Sequence, residues 1–230
     1  MPTEFNKGGV LIRQERNTVK CFKIDGLDIN VKEFCIPPFF LNRFIYCSLR
    51  SPKAVRAYNN AILLNSVGIE SPTPIAYLIC KQGGMLLKSY FISIQYTHIE
   101  SDTDFERAEL DDKVSGVLSE FGTFTANLHN KGVFHGDYGN GNILINYNKN
   151  KPIFILIDTN RMKFGSISLK RGCRDFDRLN LTPQKVAIIA KSYAQERGFD
   201  PMQVSKLIQR YQMQLKRKRQ IKRLKHTFVQ

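Results

Sequence analysis

His135-Gly136-Asp137-Tyr138-Gly139-Asn140-Gly141-Asn142, followed by Phe154-Ile155-Leu156-Ile157-Asp158, is the stretch on which the fold turns. It reads H-G-D-x-x-x-x-N, then an apolar strand that ends in Asp. An Asp five residues before an Asn places a base and a metal ligand on one short loop. A second Asp at the end of a buried strand can hold the other side of the same ion. Two carboxylates and an amide oxygen fixed between strands form the layout of a phosphoryl-transfer site, where positioning and charge neutralisation carry the chemistry. Gly, Asp and Asn also gather in turns for backbone reasons alone, so the neighbouring segments have to decide.

Upstream of the loop, Asp111 to Asn130 carries Val114, Val117, Leu118, Phe121, Phe124, Thr125 and Leu128 on one face of a long helix, stopped by Lys131-Gly132. Downstream, Asn142–Asn146 and Ile153–Ile157 flank the turn Asn148-Lys149-Asn150. This predicts a hairpin with Asn142 at its start and Asp158 at its end. An irregular basic segment follows, with Lys163, Lys170, Arg171, Arg174 and Arg178. Thr182-Pro183 then opens a helix to about Arg197. Asp200-Pro201 opens a last one, with Val204, Leu207, Ile208, Tyr211 and Leu215 on one face.

The first hundred residues read β-β-β-α-β-β. Val10-Leu11-Ile12, Thr18 to Ile24 and Leu27 to Phe34 form a meander around Glu15-Arg16-Asn17 and the hairpin dipeptide Asp25-Gly26, with Lys32 on the third strand. Pro37-Pro38 breaks the sheet. Ser51 as N-cap and Pro52 at the first helical position predict a helix that Gly68 ends. Ile75–Cys80 and Leu86–Tyr96 are two further strands around Lys81-Gln82-Gly83-Gly84. A β-rich lobe over 1–100 and a mainly helical lobe over 101–230 are expected, with the boundary near Glu100 to Asp104.

Composition fits this plan. The 230 residues are 42% apolar, and 16 Phe and 9 Tyr supply bulk in a chain without Trp. No run of about 18 apolar residues predicts a spanning helix. Met1 to Lys7 is polar and lacks the apolar stretch of a secretory signal, so the cytoplasm is the expected compartment. Cys21, Cys35, Cys47, Cys80 and Cys173 form no C-x-x-C pair, which supports neither a zinc site nor a disulfide framework. The net charge of +15 is concentrated in Lys216 to His226, within a basic C-terminal helix over 216–230. Anionic lipid, phosphorylated glycolipid and nucleic acid are candidate partners. The tail lacks interleaved aromatics, which disfavours RNA.

With these residues in this order, the chain resembles the lipopolysaccharide core kinases, the Kdo/heptose kinases of the protein-kinase-like superfamily. The resemblance runs from Gly8 to about Asp177. It includes Val31-Lys32-Glu33-Phe34, Ser51-Pro52-Lys53-Ala54, Gly68 to Tyr77 and Ile157-Asp158-Thr159-Asn160-Arg161-Met162. It implies an α+β, bilobal protein-kinase-like fold with a small antiparallel-sheet lobe bearing one helix. It also implies ATP and Mg2+ as cofactors and a sugar hydroxyl of the lipopolysaccharide inner core as acceptor. Lys32 would contact the ATP phosphates. Asp137 would receive or orient the acceptor proton. Asn142 and Asp158 would ligate magnesium, and His135 would brace the loop. The turn around Arg16 would cover the phosphates, although no G-x-G-x-x-G is present. Arg171 and Arg174 would meet an acceptor rich in carboxylates and phosphates, with Asp175 and Asp177 as structural partners of the arginines. The site would work at the inner face of the inner membrane, touched through the basic C-terminal helix.

The sequence departs from the family pattern on the small-lobe helix. Where a Glu pairs with the strand lysine, Arg56-Ala57-Tyr58-Asn59-Asn60-Ala61 offers Asn59 as a neutral hydrogen-bonding support for Lys32, with Glu70 the nearest acid in sequence. No A-P-E segment follows Asp158, so no phosphorylated activation loop is expected. Two alternatives stay open beside the glycolipid kinase. One is a catalytically silent kinase-shaped binding module. The other is a kinase for protein or another small acceptor.

Overall fold

The computed structural model describes residues 2–36, 51–96, 107–149 and 151–227. Pro37-Pro38, Cys47, the last three residues of the basic C-terminal helix and the expected lobe boundary at 100–104 lie outside them. The chain divides into two compact units. The first comprises residues 1–98 together with Leu156–Arg161. The second comprises 99–155 and 162–230.

The first unit holds a five-stranded antiparallel sheet in the order β1-β2-β3-β5-β4. Its strands are β1 (Val10–Gln14), β2 (Thr18–Ile24), β3 (Leu27–Glu33), β4 (Pro74–Gln82) and β5 (Met85–Ile94). A short helix that the sequence reading did not foresee, α1 (Pro2–Lys7), precedes them. Six residues with a single large apolar side chain show no periodicity, but that side chain, Phe5, anchors the helix by packing with Ile29, Val31 and Tyr90. Because side chains alternate along a strand, Ile29 and Val31 take that face of β3. Lys32 and Phe34 take the other, where Phe34 packs against Ala54 and Ala57 of α2 (Lys53–Ser66). That alternation sets Lys32 on the helix side of the sheet.

α2 starts one residue later than the sequence suggests. Pro52 is its N-cap, in an extended conformation (φ −51°, ψ 151°), and Ser51 makes no side-chain cap. A proline that precedes the first helical residue can hold the chain extended without needing an N–H of its own. Gly68, at φ 68°, closes the helix end, its N–H donating to the Asn65 carbonyl.

The second unit is built on α3 (Asp112–Asn130), α5 (Pro183–Arg197) and α6 (Pro201–Thr227). Asp111, Thr182 and Asp200 cap them by accepting from the N–H of Val114, Lys185 and Gln203. α3 and α5 cross closely at Gly122, where a Cβ would lie 2.6 Å from the Ile189 carbonyl oxygen. The missing Trp is replaced by an aromatic cluster. Phe121 stacks on Tyr138 at 5.4 Å, and Phe176 meets both Phe121 and Tyr193 edge-on. The hairpin is β7 (Ile143–Asn148) with β8 (Lys151–Leu156), and β6 (Val133–Phe134) pairs with β9 (Lys163–Phe164). The segment expected to be irregular contains α4 (Leu169–Asp175), capped by Ser168. Cys21, Cys35, Cys80 and Cys173 are free thiols, and burial pushes that of Cys173 up to about 12.

Candidate functional site

In the first unit, Lys32 Nζ lies 2.9 Å from Asp158 Oδ1, with both side chains less than a fifth exposed. Asp158 sits just past β8 in the left-handed region, at φ 56°. Asp tolerates that region better than most residues do. The turn that follows, Thr159–Arg161, is fastened to α2. Thr159 Oγ1 donates to the Ala57 carbonyl (2.9 Å), Asn60 Nδ2 to the Thr159 carbonyl (2.7 Å) and Arg56 Nη1 to the Asn160 carbonyl (2.7 Å). The Leu156 N–H donates to the Glu70 carbonyl (2.9 Å), and Asn160 Nδ2 donates to Asp158 Oδ1. Residues 156–161 therefore join the first unit although they follow the loop of the second.

The helix face that does this is Arg56, Ala57 and Asn60, spaced i, i+1, i+4. Asn59 does not belong to it. It is exposed, one helical step away from the Asn60 that faces the turn. The support expected of Asn59 thus corrects to Asn60, acting on the Asp158 turn, while the counter-charge of Lys32 comes from Asp158. Glu70 is exposed and serves through its backbone carbonyl. Lys53, at the start of α2, is half-buried, and its Nζ donates to the Cys35 carbonyl (3.2 Å). Burial lowers its pKa first, with Arg16 and Arg161 adding to the fall and Cys35 and Asp158 opposing it. The ammonium groups of Lys32 and Lys53 lie 5.2 Å and 6.0 Å from the Phe34 ring. Arg16 itself is exposed on its turn. The Asp158 carboxylate is thus set among cations, the electrostatics an anionic ligand would find.

In the second unit, the H-G-D loop is held from beneath. Gly136 adopts φ 73°. The His135 N–H donates to Asp175 Oδ2 and the Gly136 N–H to Asp175 Oδ1, each at 2.8 Å. His135 is fully buried, and its Nδ1 accepts the Asp137 N–H at 3.2 Å, which puts the ring proton on Nε2. His135 therefore braces the loop by hydrogen bonding. Tyr138 is fully buried under the loop, bonded to Thr125 Oγ1 at 2.9 Å. Asn142 Nδ2 donates to the Asp137 carbonyl (2.8 Å), which fixes the amide and leaves Oδ1 as its accepting end. The Asp137 carboxylate itself is 3.0 Å from Arg178 Nε.

Asp175 is thus placed differently from expectation. It is 2% exposed and holds loop amides and His129 rather than the arginines. Burial raises the pKa of Asp177, against the pull of Arg178, Arg174 and Arg219. Of the two candidate acceptor contacts, Arg171 lies over the Phe134 ring at 5.0 Å, beside the loop, and Arg174 is exposed on α4.

Asp158 in the first unit offers a carboxylate and Asn142 in the second an amide oxygen, each a donor of the kind a hard cation takes. Among the described residues, no three His, Cys, Asp or Glu side chains gather as a metal cage.

The profile of the lipopolysaccharide kinase (Kdo/WaaP) family matches residues 39–211. No curated protein matches the sequence. Among solved structures, WaaP in complex with acyl carrier protein aligns over 95% of this chain and 91% of that one, with a TM-score of 0.62 and 13% identity. At that identity the likeness is one of fold, and it agrees with the bilobal kinase-like architecture expected from the motif order. The family profile spans the greater part of the chain, from ahead of α2 through the H-G-D loop and into the last helix, and so the chain belongs to the lipopolysaccharide kinase (Kdo/WaaP) family.

Proposed function

We propose that the protein is an ATP- and Mg2+-dependent kinase that moves the γ-phosphoryl group to a sugar hydroxyl of the lipopolysaccharide inner core. The observation that carries this reading is the Asn142 amide bonded to the Asp137 carbonyl within a loop whose two preceding amides are clamped by Asp175. The bond ties the Asn142 amide to the Asp137 backbone, so that one clamped loop carries both residues, as phosphoryl transfer by positioning requires.

In this reading Lys32 contacts the ATP phosphates as a point charge. Asp137 takes a hydrogen bond from the acceptor hydroxyl. As the acceptor oxygen bonds to the γ-phosphorus, the bond to the β–γ bridging oxygen breaks, ADP leaves and the hydroxyl proton passes to Asp137. Asn142 Oδ1 and the Asp158 carboxylate would hold magnesium, which when bound neutralises charge developing on the phosphates. Arg171, beside the loop, would meet anionic groups of the acceptor, with exposed Arg174 a further contact.

The exposed end of α6, with Lys216, Arg217, Lys218, Arg219, Lys222 and Arg223 around Ile221 and Leu224, supports a peripheral contact with anionic lipid. No described helix is long and apolar enough to cross a membrane.

The test is transfer of labelled γ-phosphate from Mg-ATP to purified lipopolysaccharide core. Transfer that disappears in Asp137→Ala and falls in Lys32→Ala supports the reading. Nucleotide binding with no transfer to core overturns it, in favour of a silent binding module or a different acceptor.

A further inference from the structure

We infer that Arg178 is a positioning residue for Asp137, holding the acceptor-side carboxylate aimed. This rests on the reading of Asp137 as the group that meets the acceptor hydroxyl. Arg178 ends the three-residue 3-10 turn Phe176–Arg178, which starts immediately after Asp175. Asp175 grips the backbone of the H-G-D loop at two amides, and three residues later Arg178 grips the loop's side chain, Nε to Asp137 Oδ1 at 3.0 Å. The stem of Arg178 lies along the loop: a Cβ on Gly139 would stand 3.5 Å from the Arg178 Cβ, an ordinary contact. One short turn therefore fixes both the course of the loop and the rotation of its carboxylate.

The chemistry explains why such a clamp would serve. An acceptor hydroxyl must point its oxygen at phosphorus while its proton points at Asp137. A carboxylate free to spin about its side-chain bonds offers that geometry only part of the time. Arg178 binds Oδ1 through Nε, which sets the plane of the carboxylate and the direction of Oδ2. The guanidinium also offsets the repulsion between Asp137 and the incoming phosphate charge. This arrangement suits a transition state in which the Asp orients the hydroxyl and takes its proton late. Arg is suited to the task by its fixed fork of donors; a lysine would bring the charge without the geometry.

A structural ion pair that only fastens the loop would give the same distance, so the test separates the two. Wild type, Arg178→Lys, Arg178→Ala and Asp137→Asn are compared for transfer from Mg-ATP to lipopolysaccharide core, with melting temperatures and added guanidinium chloride at millimolar, non-denaturing concentration. Positioning predicts that Arg178→Ala lowers kcat by about 100-fold, as loss of orientation does. KM for ATP and the melting temperature stay near wild type. Arg178→Lys falls between the two, and guanidinium restores activity to Arg178→Ala but not to Asp137→Asn. Unchanged kcat in Arg178→Ala beside an inactive Asp137→Asn overturns the inference and leaves the reading of the site intact. So does a loss that tracks melting temperature and resists guanidinium. An Asp137→Asn variant as active as wild type, or a wild type that transfers nothing to core, overturns that reading and the inference with it.

Discussion

His129 shares Asp175 with the H-G-D loop: its Nε2 lies 3.3 Å from the same Oδ2 that accepts the His135 N–H. Behind His129 the chain of bonds continues. Tyr193 Oη is 2.9 Å from His129 Nδ1, and Arg197 Nη1 donates to Tyr193 Oη at 2.6 Å. Arg197 can only donate, so the directions follow. Arg197 donates to Tyr193, Tyr193 to His129 and His129 to Asp175. Asp175 is left as the acceptor on which the loop hangs. The end of α5 is thereby tied to the loop through four side chains.

Replacing Asp175 by Asn tests that acceptor role. An amide offers one accepting oxygen and sets an NH2 against the remaining donors, so one buried N–H goes unpaired. Such a loss costs about 1–3 kcal/mol, more where a charged acceptor is removed. A melting point lower by several degrees is expected. Transfer to the acceptor should fall further than stability does, because the loop's course depends on both oxygens. A variant with unchanged melting and unchanged transfer would show that the loop holds without the clamp.

His129 gives the pH dependence. Burial lowers its pKa below the ordinary 6.5, more strongly than Asp175 raises it, so the folded protein keeps it neutral. The unfolded chain takes up the proton near pH 6.5. Stability from this residue is therefore complete above about pH 6.5 and declines as pH falls from there toward the lowered folded value. Urea denaturation between pH 5 and pH 8 should show the decline in wild type and a shallower one in His129→Gln. Equal slopes would assign the acid sensitivity to other groups.

What the sequence made legible, and what it did not, divides by range. Asp137, Asn142 and Asp158 could be picked out because their motif is local: a loop, a hairpin and a strand end. Asp175 and Arg178 meet that loop from about 40 residues away, and no periodicity points a charge at its tertiary partner. Asn59 was a phase error of one residue. The helix turns 100° per residue, and the sequence pattern does not tell which of two adjacent asparagines faces the Asp158 turn. α4 escaped because two turns containing Gly172 and three basic residues have no apolar stripe, although Ser168 was present as a cap. Gly172 itself was unreadable, since its reason lies in another helix.

That reason predicts a contrast between two helical glycines. A Cβ at Gly172 would lie 2.1 Å from Tyr193 Oη and 3.0 Å from both His129 Nδ1 and Arg197 Nη1, inside the chain of bonds described above. Gly172→Ala should destabilise by about 1–3 kcal/mol, as overpacking does. At Gly116, on the exposed side of α3, nothing lies within 4 Å. Gly116→Ala should stabilise by about 0.5–1 kcal/mol through helix propensity. Denaturation midpoints measure both, and effects of the same sign would refute the packing argument.

The α6 extension makes a separate prediction. From Lys216 to Leu224 every residue is exposed, and the basic side chains surround Ile221 and Leu224. Basic residues at an anionic surface contribute about 1 kcal/mol each. Deleting residues 216–230 should weaken sedimentation with phosphatidylserine-containing vesicles at least tenfold and leave ATP affinity unchanged. Undiminished sedimentation would remove the lipid contact from the proposed function.

The last prediction decides what the altered helix position means. If Lys32 lacked a counter-charge, a carboxylate restored at position 59 would raise activity. The geometry says otherwise: Asn59 is exposed, and Lys32 is paired with Asp158 at 2.9 Å. Asn59→Glu should therefore leave transfer within about twofold of wild type, as surface substitutions usually do. Asn60→Ala should act instead, because it removes the donor to the Thr159 carbonyl (2.7 Å) that helps hold the Asp158 turn against α2. A stability loss of about 1 kcal/mol is expected from one hydrogen bond, and with it weaker Mg-ATP binding, read by nucleotide titration. A strong gain in Asn59→Glu with no effect in Asn60→Ala would return the role to position 59. It would also favour a site held below full activity by its missing carboxylate.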